Sequence, residues 1–406
     1  MRVHKAYKYR IYPNEEQKEK LAKTFGGVRF IWNKFVESFN DTTSTIPKYT
    51  KYNDYKAQFN FLNDVSAGAL QQQDQNISAF KKQFFNPSRK TKVGSPSFKH
   101  KEMKASYKLP NRKFDVRGDE IYLEKIGLVD IKINNSIPKN AKLLSCTVSR
   151  NSTNQYFVSI AVEVDIKQLP KTGKTIGIDL GIKDFVITSE GDKHAAKKWF
   201  RDNQTKLRKE QKRLSKKKKD SVRYKKNKQR IAKIYNDLVN QRNYFQHNLS
   251  KHLVEKYDII CLESLNVKGM LKNRKLSKAI LEVSWSSFIT MLKYKALWYG
   301  KDIIQIDRFF PSSKTCHVCG CINDKLKLKD RVWFCEHCET NHDRDINAAK
   351  NIELEGLRIF RAPGSTVAIH TLSLNKTNKR SNTNISISDE ALNKQDDKVL
   401  FNTIIN

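Results

Sequence analysis

The chain has 406 residues, 78 of them Lys or Arg against 42 Asp or Glu, a formal net charge of +36. Its 38% hydrophobic content supports ordinary cores, and its length suits two to four domains. No run approaches the roughly 18 apolar residues of a spanning helix, and Met1-Arg2-Val3-His4-Lys5 leads into an alternating strand, so no signal peptide is expected. Such charge repels itself unless a polyanion neutralises it, which makes nucleic acid the expected partner and argues against a membrane. Seven cysteines, four in one cluster, fit a reducing cytoplasm better than a disulfide framework.

Residues 5–12 alternate as a strand, and Asn14 with Gln17 makes a capping box opening a helix. Leu21, Phe25, Val28, Trp32, Phe35 and Phe39 then form one helical face. Residues 40–60 read as a loop with a short helix, and a second helix is predicted from about Ala69 to Phe85. Asn86 to Lys104 reads as a basic linker with turn chemistry at Gly94-Ser95-Pro96.

Between Tyr107 and Ile166 the runs Glu120–Leu123, Val129–Ile133, Leu143–Val148 and Tyr156–Val164 predict a small antiparallel barrel that the first strand joins. Lys167 to Lys174 reads as a linker. Residues 201–256 predict two helices broken near Asp220, and residues 201–234 hold 16 basic residues against three acids. That excess, including Lys216, Lys217, Lys218, Lys219 and Arg223, is too one-signed for a merely solvated face and predicts polyanion binding. Residues 371–398 are polar without apolar period, and the tail from 359 is expected to be disordered.

Cys316-x-x-Cys319 and Cys335-x-x-Cys338, 15 residues apart, have zinc-ribbon spacing. Four thiolates complete a tetrahedron, so one zinc there is structural. His317, His337 and Cys321 lie close enough in sequence to be alternative ligands, though two matched pairs need none of them. Three carboxylates follow in order: Asp179 ends the apolar run from Ile176, Glu263 ends Tyr257 to Leu262, and Asp345 opens a helix through Asn347-Ala348-Ala349. For any one alone, a strand-end or capping role is the simpler account. Together they read as metal ligands of a nuclease on an RNase H-like sheet, because clustered carboxylates stay ionised only with cations between them.

The sequence resembles the TnpB family of transposon-encoded, RNA-guided DNA endonucleases, relatives of the type V CRISPR effectors. The resemblance rests on Tyr9-Arg10-Ile11-Tyr12-Pro13, Gly94-Ser95-Pro96-Ser97-Phe98, Gly177-Ile178-Asp179-Leu180-Gly181, Trp285 to Gly300, Phe310-Pro311-Ser312-Ser313-Lys314-Thr315-Cys316 and His342-Asp343-Arg344-Asp345. It implies an α/β multidomain protein. A wedge barrel, similar to oligonucleotide-binding folds, would comprise residues 1–14 and 107–172, and a helical recognition domain 15–106. A RuvC-like nuclease domain would comprise 173–311 and 343–358, with the zinc ribbon, 312–342, inserted in it.

The resemblance also implies a catalytic role for Asp179, Glu263 and Asp345 holding two Mg²⁺ ions, with Asp343 a helix cap. It implies a guide RNA copied from the element's right end, a double-stranded DNA target beside a short flanking motif, and a monomer acting on the nucleoid of a prokaryotic cytoplasm. Gln71, Tyr49 and Tyr52 are then candidate readers of the flanking motif. The alternative is a nuclease-silent RNA-guided regulator or a transposition accessory factor.

Overall fold

The computed structural model describes residues 1–40, 50–88, 93–101, 105–327 and 329–362. The chain divides into two compact units, one spanning Arg2–Asp165 and the other beginning at Ile166. No helix among the described residues is long and apolar enough to cross a membrane.

In the first unit β1 (Arg2–Tyr12) leads into α1 (Glu15–Asn40), α2 (Tyr52–Gln58) and α3 (Ala67–Phe84). The strands β2 (Ala105–Pro110), β3 (Phe114–Arg117), β4 (Glu120–Leu123), β5 (Gly127–Lys132), β6 (Lys142–Arg150) and β7 (Tyr156–Asp165) follow. The capping box forms in both directions: Gln17 N–H donates to Asn14 Oδ1 at 2.9 Å and Asn14 N–H to Gln17 Oε1 at 3.0 Å. The apolar face of α1 is buried at Leu21, Phe25, Val28, Ile31, Phe35 and Val36.

Strand order is β2-β6-β7-β1-β5-β4-β3, so β1 lies at the centre, antiparallel to β7 and β5. The edge strands β2 and β3 are joined by only Asn111–Lys113. Four residue steps reach at most about 14 Å, so the sheet curls until its edges nearly meet, close to the predicted barrel. The short strands β2 and β3 add to the four read from the sequence. The segment 94–99 is strapped to α1: Trp32 Nε1–H donates to Ser97 O at 2.9 Å, and Asn33 exchanges two hydrogen bonds with the Lys99 backbone at 2.8 and 3.0 Å. Tyr49 and the tail beyond residue 362 lie outside the described residues.

The second unit contains β8 (Thr175–Asp179), β9 (Asp184–Thr188), β10 (Lys193–Ala195), α4 (Trp199–Ser215), α5 (Val222–Lys256) and β11 (Ile259–Glu263). Then come α6 (Val267–Met270), α7 (Ser277–Val283), α8 (Trp285–Tyr299), β12 (Asp302–Ile306), β13 (Val332–Cys335), β14 (Thr340–Asp343) and α9 (Arg344–Arg361). A five-stranded sheet runs β10-β9-β8-β11-β12, with β8, β11 and β12 parallel and β9 antiparallel to β8.

Strand alternation assigns the two faces of the sheet. Ile176, Ile178, Ile260 and Leu262 share one core with Leu253 of α5 and with Phe288 and Leu292 of α8. On the other face Gly177 and Cys261 meet α9. A Cβ at Gly177 would lie 2.0 Å from Ala349 O, and one at Gly356 would lie 2.3 Å from Cys261 Sγ. The helix therefore rests directly on the strands.

The predicted break between α4 and α5 falls at Asp220, in left-handed conformation with φ 64°. Leu207, Ile231, Ile234 and Leu238 close the hairpin. Two boundaries differ from the sequence reading. Residues 166–172, expected in the barrel, pack with the second unit: Thr172 and Gly173 N–H donate to Asp258 Oδ2 at 2.8 and 2.7 Å, and the buried Lys301 ammonium bridges Asp258 and Pro170 O. The helix expected to stop at 358 continues to Arg361, because Ile359 and Phe360 still pack on the core with Ile352.

Candidate metal and nucleic-acid sites

Asp179 ends β8 and Glu263 ends β11. Because Leu262 pairs with Ile178 in parallel register, the two acids come next on adjacent strands, on the face that α9 covers. The Asp179 carboxyl is pushed up to about 7 by burial, by Glu263 and by Asp345, against the opposing effects of Arg344 and the Leu180 N–H. Burial likewise raises Glu263, whose carboxyl hydrogen-bonds that of Asp179. Two half-buried carboxyls at the ends of adjacent strands disfavour each other's ionised form. A hard, oxygen-seeking divalent cation is the chemistry that relieves them, so the residues fit Mg²⁺.

Asp345 reaches this face from the first turn of α9. Asp343 caps the helix, its Oδ1 accepting from Asp345 N–H and Ile346 N–H, both at 3.1 Å. Burial alone would raise the Asp343 carboxyl, but Lys193 at 2.6 Å and these amides hold it below the usual range. Arg331, just before β13, donates to both carboxylate oxygens of Asp345 at 3.1 Å and accepts Arg344 N–H on its carbonyl at 2.8 Å. Sequence reasoning missed Arg331 and Lys193, because only the fold sets their partners.

The four ribbon thiolates gather within 4.8 Å of one another, with Cys316–Cys338 at 3.5 Å and Cys319–Cys335 at 3.6 Å. Zinc–sulfur bonds of about 2.3 Å in a tetrahedron place sulfurs roughly 3.8 Å apart, so the set fits one Zn²⁺. The nearby histidines His317 and His342 have other work. His342 Nε2 lies 3.1 Å from Cys316 Sγ, with its ring against Trp333. His317 donates from Nδ1 to Asn347 Oδ1 at 2.9 Å, while Lys350 Nζ lies 3.2 Å from Nε2. Asn347 and Asn351 also donate to the ribbon backbone, at Thr315 O and Ser312 O. The asparagines of the Asn347-Ala348-Ala349-Lys350-Asn351 motif thus dock the first knuckle on α9, while its alanines are buried.

Of the basic candidates, Lys216, Lys218, Lys219 and Arg223 are exposed where α4 meets α5. Lys217 differs: its ammonium donates to Asn227 Oδ1 at 2.8 Å and closes the hairpin. In the first unit Gln71 is exposed on α3. Tyr52 starts α2, its N–H donating to Asp74 of α3 at 3.1 Å.

Three family models match the chain: a Cas12f1-like TNB domain over residues 285–352, the OrfB_IS605 "Probable transposase" over 157–274, and an OrfB_IS605 helix-turn-helix domain over 1–42. In the last region the structure forms β1 and the single helix α1. A Streptomyces pristinaespiralis protein described as "Putative RNA-guided DNA endonuclease" is 35% identical over 370 residues, 87% of this chain and 90% of its own. InsQ of Escherichia coli (strain K12), with the same description, is 24% identical over 377 residues, covering 86% and 92%. A cryo-EM structure of a Cas12f1–sgRNA–target DNA complex aligns with a TM-score of 0.48 at 14% identity, covering 87% of this chain and 99% of that one. With a 35%-identical relative matched across nearly its whole length and OrfB_IS605 models over residues 1–42 and 157–274, the chain belongs to the TnpB family of IS605-type transposon proteins.

Proposed function

We propose that this protein is an RNA-guided, Mg²⁺-dependent endonuclease that cleaves double-stranded DNA beside a short flanking motif. Its guide would be an RNA copied from the right end of its element. The observation that carries the reading is the pair Asp179 and Glu263 at adjacent strand ends, with Asp345 near enough for its charge to raise the Asp179 carboxyl. The parallel β8-β11-β12 core with antiparallel β9 and covering α9 supports a RuvC-like, RNase H-type domain.

Asp179, Glu263 and Asp345 would hold two Mg²⁺ ions, which when bound supply an activated water and stabilise the leaving oxygen of a phosphodiester. The chain's own part is placement. The strand ends fix two carboxylates, Asp343 and Lys193 fix the start of α9, and Arg331 orients Asp345. Cys316, Cys319, Cys335 and Cys338 would hold one structural Zn²⁺ that keeps the ribbon, and so Arg331, in place. Base pairing with the guide would read the target, while the first unit, with Gln71 and Tyr52 among the candidates, reads the flank. The exposed Lys216, Lys218, Lys219 and Arg223 would contact phosphates. The descriptions of the relatives from Streptomyces and Escherichia support the same activity.

The test uses protein purified with RNA expressed from the DNA flanking its gene. The guide end is reprogrammed and a plasmid library with randomised flanks is offered in Mg²⁺, beside Asp179→Ala. Breaks at the matched target behind one enriched flank, absent with Asp179→Ala, are expected. Guided binding without breaks in the parent protein would mean a regulator instead.

A further inference from the structure

The ribbon carries a fifth cysteine. Cys319, Cys321 and His337 form a second group whose ligand atoms all lie within 4.8 Å of one another, sharing Cys319 with the four-thiolate set. We propose that Cys321 and His337, together with a bridging Cys319 thiolate, bind a second soft divalent ion beside the structural zinc.

The local backbone explains how the group assembles. Gly320, at φ 77° with nothing within 4 Å of its Cβ direction, reverses the chain after Cys319. Cys321 O then accepts Cys316 N–H at 2.8 Å, and Gly320 N–H donates to Cys316 O at 2.9 Å, so residue 321 is pinned beside the first knuckle. His337 sits in the second knuckle, between Cys335 and Cys338, with its side chain exposed. Unlike His317 and His342, which serve Asn347 and Cys316, it faces this second group.

Donor chemistry selects the ion. Two sulfurs and an imidazole favour Zn²⁺ or the softer Cd²⁺ over Mg²⁺. A thiolate has lone pairs enough to bridge two such ions. A zinc with four thiolates carries net negative charge, so a neighbouring cation held partly by a neutral imidazole relieves it. Three protein ligands leave a fourth position to water. With Cys319 and Cys321 half-buried and His337 exposed, the ion has a route in and out, and it is the first to leave under a chelator.

The experiment counts metal in the full-length protein. After reconstitution with Zn²⁺ and removal of loose metal, elemental analysis is expected to give two zinc ions per chain, falling to one with Cys321→Ser or with His337→Asn. Cd²⁺ substitution followed by ¹¹³Cd NMR is expected to show two resonances in the parent and only the four-sulfur one in each variant. Slow hydrogen exchange on β13 and β14 reports that the ribbon remains folded. One zinc in the parent, or two retained in both variants, would overturn the proposal. Loss of both ions with either variant would overturn it too, by making these residues part of the first site.

Discussion

Two of the three clustered carboxylates and the third are held in place by different physics. Asp179 and Glu263 stand at the ends of strands whose inner residues are buried in an apolar core, so burial positions them and also penalises their charge. Asp345 stands at a helix start continuous with the ribbon, since β14 ends at Asp343 and α9 begins at Arg344. Arg331, its ion-pair partner, enters the ribbon strand β13 at the next residue. One part of the site is thus tied to the hydrophobic core of the sheet, the other to a small cysteine-rich module with little apolar core of its own.

The largest effect that separates the two is loss of zinc. Structural zinc supplies about 10–16 kcal/mol in small modules, so stripping it should release the hydrogen-exchange protection of β13 and β14 and abolish cleavage. Hydrogen exchange on β8, β11 and β12 should stay slow. Melting of those strands along with the ribbon would show that the division is false.

Substituting any one carboxylate by Ala should lower cleavage by ~10²–10³-fold or more without loss of bound RNA. The next contrast is in metal-free stability. The Asp179 carboxyl, raised from 3.8 to about 7, contributes stability below its unfolded value that is lost as pH rises through about 7. Its share of the slope is at most about 1.4 kcal/mol per pH unit. Asp179→Asn should therefore raise the melting temperature at pH 8 and flatten the profile, and Mg²⁺ should stabilise only the parent. Asp345→Asn, losing a pair with the exposed Arg331, should change stability by ~0–1 kcal/mol. Equal behaviour of the two variants would count against separate placement. Finally, Gly177→Ala should cost about 1–3 kcal/mol by lifting α9 off β8, with cleavage falling alongside.

Much of the fold was legible in the sequence where an element announces itself locally, in the second unit above all. The apolar runs before Asp179 and Glu263, the paired CxxC spacing and the Asn14–Gln17 box each carry their partner nearby. What sequence did not show depends on distant partners. The segment at 167–172 has the composition of a solvated linker, and the residues that tie it down, among them Lys256, Asp258, Tyr299 and Lys301, lie far along the chain. The strands Ala105–Pro110 and Phe114–Arg117 are short and mixed with basic residues, so alternation is too brief to read. Lys217 looked like its neighbours because nothing local marks the Asn227 that takes its ammonium.

The seat of α9 on Gly177 works as a ruler. Thr175 meets Glu353 and Gly177 meets Ala349, so the helix runs antiparallel to the strand. Two strand residues advance about 6.6 Å and four helical residues about 6 Å. Counting on from the Gly177–Ala349 contact therefore brings Asp179 and Asp345 to the same level, as it brings Thr175 and Glu353. The two scales stay in step only for whole helical turns. One residue inserted between Asp345 and Ala349 would swing that carboxylate about 100° around the helix, so this four-residue interval tolerates changes of side chain far better than changes of length.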